Sequence, residues 1–315
     1  ANDVDLIGKD RWSTAKNYID ISYDKDKIDK IAKSTGLKLL NCHSYLNLDK
    51  FSPYNYDIFD DQVFFRPYNG EVVRGVDYEL SRGCIYSCSY CVETVIQKYY
   101  GFEESSSKTG AIKNFKSYLR NKSANVIFDE ITYLVKEKNI NFIRCQDTNF
   151  LTNDRKILME LANKIKKSDL NFRIYIETRP EGINDLSIEL LKDLKVDAVG
   201  MGIELAGEDF REESLNRFAS QEKTILAFKL LKKNGIKRTS YNVIGFPDQN
   251  EESILQTIEF NKLLNPDNIT VAYYSPYVGT GQQKKGVDTE TFSEYEFDAD
   301  AALRSKSKSK ELSTE

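Results

Sequence analysis

No stretch of about 18 uninterrupted apolar residues occurs in the chain, so no transmembrane helix is expected. The opening, ANDVDLIGKDRW, lacks the basic and then apolar pattern of a secretory signal. Basic charge is not in excess either. The 45 Lys and Arg stand against 49 Asp and Glu, a formal net charge of −4, which excludes an overall field that would recruit nucleic acid or an anionic membrane. Histidine is reduced to one residue, His43, which reads as an ordinary polar side chain in an irregular arm. Cysteine numbers only five. That odd count does not suit a disulfide framework; with three of the five crowded together it suits a reducing cytoplasm and a metal site.

What is present is a chain of 315 residues, 40% of them hydrophobic, enough for one large domain or one domain with a small appendage. It begins on Ala rather than Met, as a fragment or a processed product would. Residues 1–70 are irregular: DKDKIDKIAKSTG reads as a short helix stopped at Gly36. The stretch NLDKFSPYNYDIFDDQVFFRPYNG reads as an extended linker whose aromatics dock on the main body. From about residue 75 a rhythm sets in. Strand candidates GVDYELSR, NFIRCQD, NFRIYIET, VDAVGMGIE, KRTSYNVIGF and NITVAYYSPY alternate with helical segments. In the first of these, VIFDEITYLVKEKN, the spacing sets Val126, Phe128, Ile131, Leu134 and Val135 on one side.

Strict alternation with short connections implies parallel strands and right-handed crossovers. Six units are too few for a complete eight-stranded barrel and suit a partial barrel or an open parallel sheet; in both, ligands belong at the carboxyl ends of the strands. The expected organisation is an extension over 1–70, a β/α body over 71–285, and a charged, Ser-rich tail over 286–315.

The loop after the first strand reads GCIYSCSYC, placing Cys84, Cys88 and Cys91 at C-x3-C-x2-C spacing. Structural zinc almost always takes four ligands. The one histidine lies far upstream and no second C-x2-C pair exists, although Cys42 or Cys145 could supply a fourth thiolate through folding. Three thiolates suit a [4Fe–4S] cluster with one iron left open for a ligand.

CIYSCSYC, including the aromatic Tyr90 before the last cysteine, resembles the signature of the radical S-adenosylmethionine (radical SAM) enzymes. The six β/α units that follow resemble that family's partial (β/α)6 TIM-like barrel, over roughly residues 75 to 280. The resemblance implies that Cys84, Cys88 and Cys91 hold three irons. The amino and carboxylate groups of S-adenosylmethionine would chelate the fourth. Electron delivery from a flavodoxin- or ferredoxin-like donor would then release a 5′-deoxyadenosyl radical that abstracts hydrogen from a substrate. The cofactor carries the hard chemistry and the protein positions it.

The same resemblance implies cofactor contacts from the strand ends. Asp147 in CQDTNFL stands where the family meets the methionine amino group; the alternative is that Asp147 or Thr148 caps the next helix. Glu177 and Arg179 in ETRPE end an apolar strand and are expected to point into the mouth. Arg179 could hold a carboxylate through a bidentate fork, or be spent in a salt bridge. Glu204 fits the place of a ribose contact. In YNVIGFP, Asn242 could reach the ribose, while Val243 and Ile244 lie against adenine. Pro276, Gly279 and Thr280 resemble a structural turn at the barrel edge.

The approach to the cysteines also resembles the cobalamin-binding branch of the family. The branch's D-x-H-x-x-G motif is missing, and about 70 upstream residues are too few for its cobalamin domain, so cobalamin binding by these residues is not expected. The leading expectation is an enzyme acting on a small molecule or metabolite, by methyl transfer or rearrangement. The alternatives are a tRNA-modifying relative, against which the acidic charge stands, and an iron–sulfur electron carrier or inactive remnant. A carrier would need a fourth cysteine, for which Cys145 is the candidate.

Overall fold

The computed structural model describes residues 47–51, 53–102 and 109–289. The helix expected near residue 30, Cys42, His43 and the tail beyond 289 lie outside these. Among the described residues no helix is long and apolar enough to cross a membrane.

The first strands form a hairpin, β1 (Phe65–Tyr68) and β2 (Glu71–Tyr78), paired antiparallel with Tyr68 opposite Glu71. Asn69 and Gly70 turn it with φ of 49° and 82°, the left-handed pair that a tight hairpin requires. A two-stranded ladder joins β3 (Ser81–Arg82) to β4 (Arg120–Asn121), flanking helices α1 (Glu93–Tyr99) and α2 (Phe115–Tyr118).

The repeat follows: α3 (Ala124–Glu137), β5 (Phe142–Cys145), α4 (Arg155–Lys166), β6 (Arg173–Thr178), α5 (Asp185–Asp193) and β7 (Val196–Glu204). After it come α6 (Glu208–Glu213), α7 (Gln221–Lys233), β8 (Lys237–Ile244), α8 (Glu251–Leu264), β9 (Asn268–Tyr273) and α9 (Gly281–Asp288). The strand order is β1-β2-β5-β6-β7-β8-β9, and every pair after the hairpin is parallel. All six expected strands are present, each beside its predecessor. This is the partial barrel, with one antiparallel strand added at its leading edge.

Strand side chains alternate between two environments. Val76, Ile143, Ile174, Ile176, Val199, Met201 and Ile203 join the main core with Ile127 and Ile131 of α3, Leu161 and Ile165 of α4, Leu191 of α5, and Phe228 and Leu231 of α7. Ile131 has no exposed surface, and truncating it to Ala should cost about 2–5 kcal/mol. The buried stripe of α3 is Ala124, Ile127, Ile131 and Leu134, so the expected stripe is corrected: Ile127 takes the place given to Val126, one position further along the turn. Side-chain caps start the long helices: Ser123, Asp154, Ser220 and Asn250 each accept from a backbone N–H of the first turn, and Asn184 forms a capping box with Ser187.

The other face looks into the barrel. Tyr68 stacks 4.1 Å from Phe142 and donates to Asp197 over 2.7 Å. The hairpin thus plugs the amino-terminal end of the strands. Part of the stretch expected to be linker therefore belongs to the barrel wall, and Phe64, just before β1, is buried in the main core. The opposite end stays open for a ligand.

Candidate functional site

The cysteine loop leaves β3 through Gly83, whose φ is +100° and whose absent Cβ would meet Tyr118 at 3.1 Å. Its backbone is then held residue by residue. Cys84 N–H donates to Glu93 over 2.9 Å, and Gln97 donates to the carbonyls of Cys84 and Tyr86. Ser87 N–H donates to Gly110, Ser89 N–H to Leu215, and Cys91 N–H to Cys88. All three thiols line one cavity of about 260 Å³ at the carboxyl ends of the strands. Cys88 is buried, whereas Cys84 and Cys91 are partly exposed. Burial, with smaller contributions from the neighbouring thiols, pushes Cys84 and Cys91 up to about 12.

Cys145 does not reach this cavity. Alternation along β5 turns it to the helix side, where it is 1% exposed within the main core. It therefore cannot serve as the fourth ligand of a cluster in the cavity. Among the described residues no group of three or more His, Cys, Asp or Glu is gathered to hold a single metal ion. A cluster places less demand on convergence, because each thiolate binds its own iron.

Around the thiols the cavity is lined by Tyr86, Tyr90, Thr148, Asn149, Glu177, Thr178, Arg179, Gly200, Gly202, Glu204, Arg217 and Tyr241. Five of the eight expected non-cysteine positions behave as follows. Tyr90 donates to Glu204 Oε1 over 2.9 Å. Glu204, at φ +61°, ends β7 where the register shifts, and it is nearly buried. Glu177 accepts from Arg144 and Tyr241. Arg179 gives Nε and Nη2 to Glu181, and its guanidinium lies 3.8 Å from the Tyr86 ring centroid. Its Nη1 is buried without a partner. Val243, like Tyr90, packs against a small cluster of Leu205, Leu215, Phe246 and Tyr274, but it does not line the cavity.

The remaining three are placed elsewhere. The Asp147 carboxylate is saturated, accepting from Leu80 N–H, Ser81 N–H, Ser81 Oγ and Asn153 Nδ2 at 2.6–3.3 Å. It ties β3 to the loop after β5 and does not line the cavity; nor does it cap α4, which Asp154 does. Asn242 is turned by strand alternation to the helix layer, bonded to Ser240, the Thr270 carbonyl and Asn261 of α8. Ile244 meets β9 through its carbonyl, which accepts from Tyr274 N–H. Thr280 caps α9, so the Pro276–Gly279–Thr280 turn starts a helix.

Sequence reasoning missed Asn149, Tyr241 and Arg217. Tyr241 was recoverable, since it shares the face of Val243 two residues on; Arg217 sits in an irregular segment with no periodic signal. Gly200 and Gly202 keep the β7 wall bare: a Cβ on Gly200 would meet Tyr175 Oη at 2.2 Å, and one on Gly202 would meet Glu204 Oε1 at 2.4 Å.

The site is thus a three-thiol loop at the carboxyl end of a half-barrel of parallel strands, faced by the buried Arg179, Arg217 and Glu204 and by the partly exposed Glu177. The chain belongs to the Radical SAM superfamily of enzymes, whose family model matches residues 78–260, more than half of its length. It is 26% identical over 200 residues to an uncharacterized methyltransferase of Pyrococcus horikoshii, covering 64% of this chain and 39% of that protein. It is 24% identical over 234 residues to the anaerobic magnesium-protoporphyrin IX monomethyl ester cyclase of Rubrivivax gelatinosus, covering 73% and 38%. The fold resembles that of the radical S-adenosylmethionine methyltransferase TsrM of Kitasatospora setae, with a TM-score of 0.56, 15% identity, and 68% of this chain covering 39% of that one. The chain thus spans about two-fifths of the length of these relatives.

Proposed function

We propose that Cys84, Cys88 and Cys91 hold a [4Fe–4S] cluster and that the cavity beside them binds S-adenosylmethionine for radical chemistry on a small-molecule substrate. The observation that carries the reading is the ligand set among the described residues: three thiols share one cavity, while Cys145, the other described cysteine, is buried on the helix side of its strand. When bound, the pair supplies reductive opening of the sulfonium to a hydrogen-abstracting radical.

The chain's own residues fit that ligand. Arg179 Nη1 is a buried donor without a partner, a costly state unless an anionic oxygen completes it, and a carboxylate would do so. Glu204 offers acceptor oxygens to hydroxyls, oriented by Tyr90. Tyr90, in the cavity wall and backed by Phe246, presents an apolar surface for a flat ring. The hairpin plug below and the helix layer outside exclude water from the cavity floor. The reaction expected is methyl transfer or rearrangement, with electrons from a flavodoxin- or ferredoxin-like donor; cobalamin forms no part of the reading.

Anaerobic reconstitution tests it. The expected result is four irons and four sulfides per chain, a reduced-cluster electron paramagnetic resonance signal that changes on adding S-adenosylmethionine, and formation of 5′-deoxyadenosine. An unchanged signal with no 5′-deoxyadenosine would overturn the reading.

A further inference from the structure

The segment Ser214–Arg217, between α6 and α7, grips both neighbours of Cys88. Asn216 Nδ2 donates to the Ser87 carbonyl over 2.8 Å. Ser89 N–H donates to the Leu215 carbonyl over 3.0 Å, and Ser89 Oγ to the Ser214 carbonyl over 2.6 Å. Helix α9 closes the same knot, with Gln282 N–H donating to the Ser89 carbonyl over 2.9 Å. Asn216 takes a left-handed φ of 50°, a conformation that asparagine tolerates better than most residues. Gly110, whose carbonyl accepts from Ser87, has no Cβ to strike the Asn216 carbonyl 2.8 Å away.

This grip delivers Arg217 to the cavity wall beside Cys88. The guanidinium is buried. Nη2 donates to the Gly202 carbonyl, the nearest carboxylate oxygen, Glu204 Oε1, stands 3.7 Å off, and Nε has no partner. A buried charge so incompletely matched is costly unless another negative group faces it. Arg217 remains charged all the same. A guanidinium keeps its proton across the accessible pH range, whatever its surroundings.

We propose that Ser214–Arg217 is a clasp that fixes Cys88 and places the Arg217 guanidinium where its charge stabilises the reduced, more negative state of the cluster. Arg217 is then a positioning residue for redox potential. The inference rests on the three thiols being cluster ligands. A cation held in a low-dielectric wall favours the state with the extra electron, and so raises the reduction potential.

The test is an anaerobic redox titration of the reconstituted protein without S-adenosylmethionine, so that contact with that ligand does not enter the readout. Wild type, Arg217→Gln, Arg217→Lys and Ser89→Ala are compared at matched iron and sulfide content. Arg217→Gln should shift the potential to lower values; Arg217→Lys should restore it. Ser89→Ala, which loosens the clasp and keeps the charge, should shift it the same way by a smaller amount, and a wild-type potential there would overturn the clasp. A loaded Arg217→Gln protein with the wild-type potential overturns the proposal. If Arg217→Gln takes up no cluster, Arg217→Lys decides: a wild-type potential supports the charge, and a shifted potential or failure to load overturns it. Failure of the wild type itself to take up a cluster sinks the functional reading instead.

Discussion

The hydroxyl of Tyr90 and the carboxylate of Glu204, 114 residues apart in sequence, meet at 2.9 Å. One belongs to the cysteine loop and the other to the end of β7, so a single hydrogen bond ties the proposed cluster site to the wall of the proposed ligand site. Both groups are largely buried, and burial together with the Glu204 charge keeps the Tyr90 phenol protonated. It is therefore a steady donor.

Tyr90→Phe should leave cluster loading intact and loosen Glu204. Loss of one hydrogen bond to a charged acceptor, about 1.5 kcal/mol, should weaken S-adenosylmethionine binding roughly tenfold. Equilibrium binding to the reconstituted protein checks this, and an unchanged dissociation constant would remove Tyr90 from the ligand site.

Asp147→Ala should destabilise the metal-free protein by at least about 3 kcal/mol, since it strands several buried donors. Asp147→Asn should cost less, because its carbonyl can still accept from Leu80 and Ser81. Urea unfolding reads both. Wild-type stability with lost S-adenosylmethionine affinity would instead restore the role in cofactor binding.

Cys145→Ala should load the same iron and sulfide as wild type, at a stability cost of about 1 kcal/mol for a small core cavity. Loss of the cluster in that variant would favour a four-cysteine electron carrier.

The thiols supply a pH dependence. Cys84 and Cys91 are raised by burial from 9.0 to about 12. Below pH 9 both the folded and unfolded forms are protonated, and the folded state loses nothing. Between 9 and about 12 only the unfolded form ionises, so stability falls as pH rises. The metal-free protein should therefore lose urea resistance over that window, and a Cys84→Ser, Cys91→Ser variant should lose less. Alkylation at pH 8, mapped by mass spectrometry, should be slower at these two positions in the folded protein than in urea.

Much of the barrel was legible in the sequence because apolar periodicity switches cleanly between strand and helix. The first body helix, α3, sits within two residues of where that pattern put it. The hairpin was overlooked although Asn69-Gly70 announces it; its Tyr and Pro content looked like linker. Arg217 carried no signal, because its segment is irregular and its partners, Gly202, Glu204 and the neighbours of Cys88, are remote in the chain.

By itself the sequence determined the three-thiol loop, its place after the first strand of the parallel series, and the alternation that makes a half-barrel, since all of these depend on local spacing. Only the tertiary structure decided which polar strand-end residues share the cavity. A shift of one position moves a side chain from the lumen to the helix layer, which is why Glu177, Arg179 and Glu204 line the cavity while Asp147, Asn242 and Cys145 are turned from it.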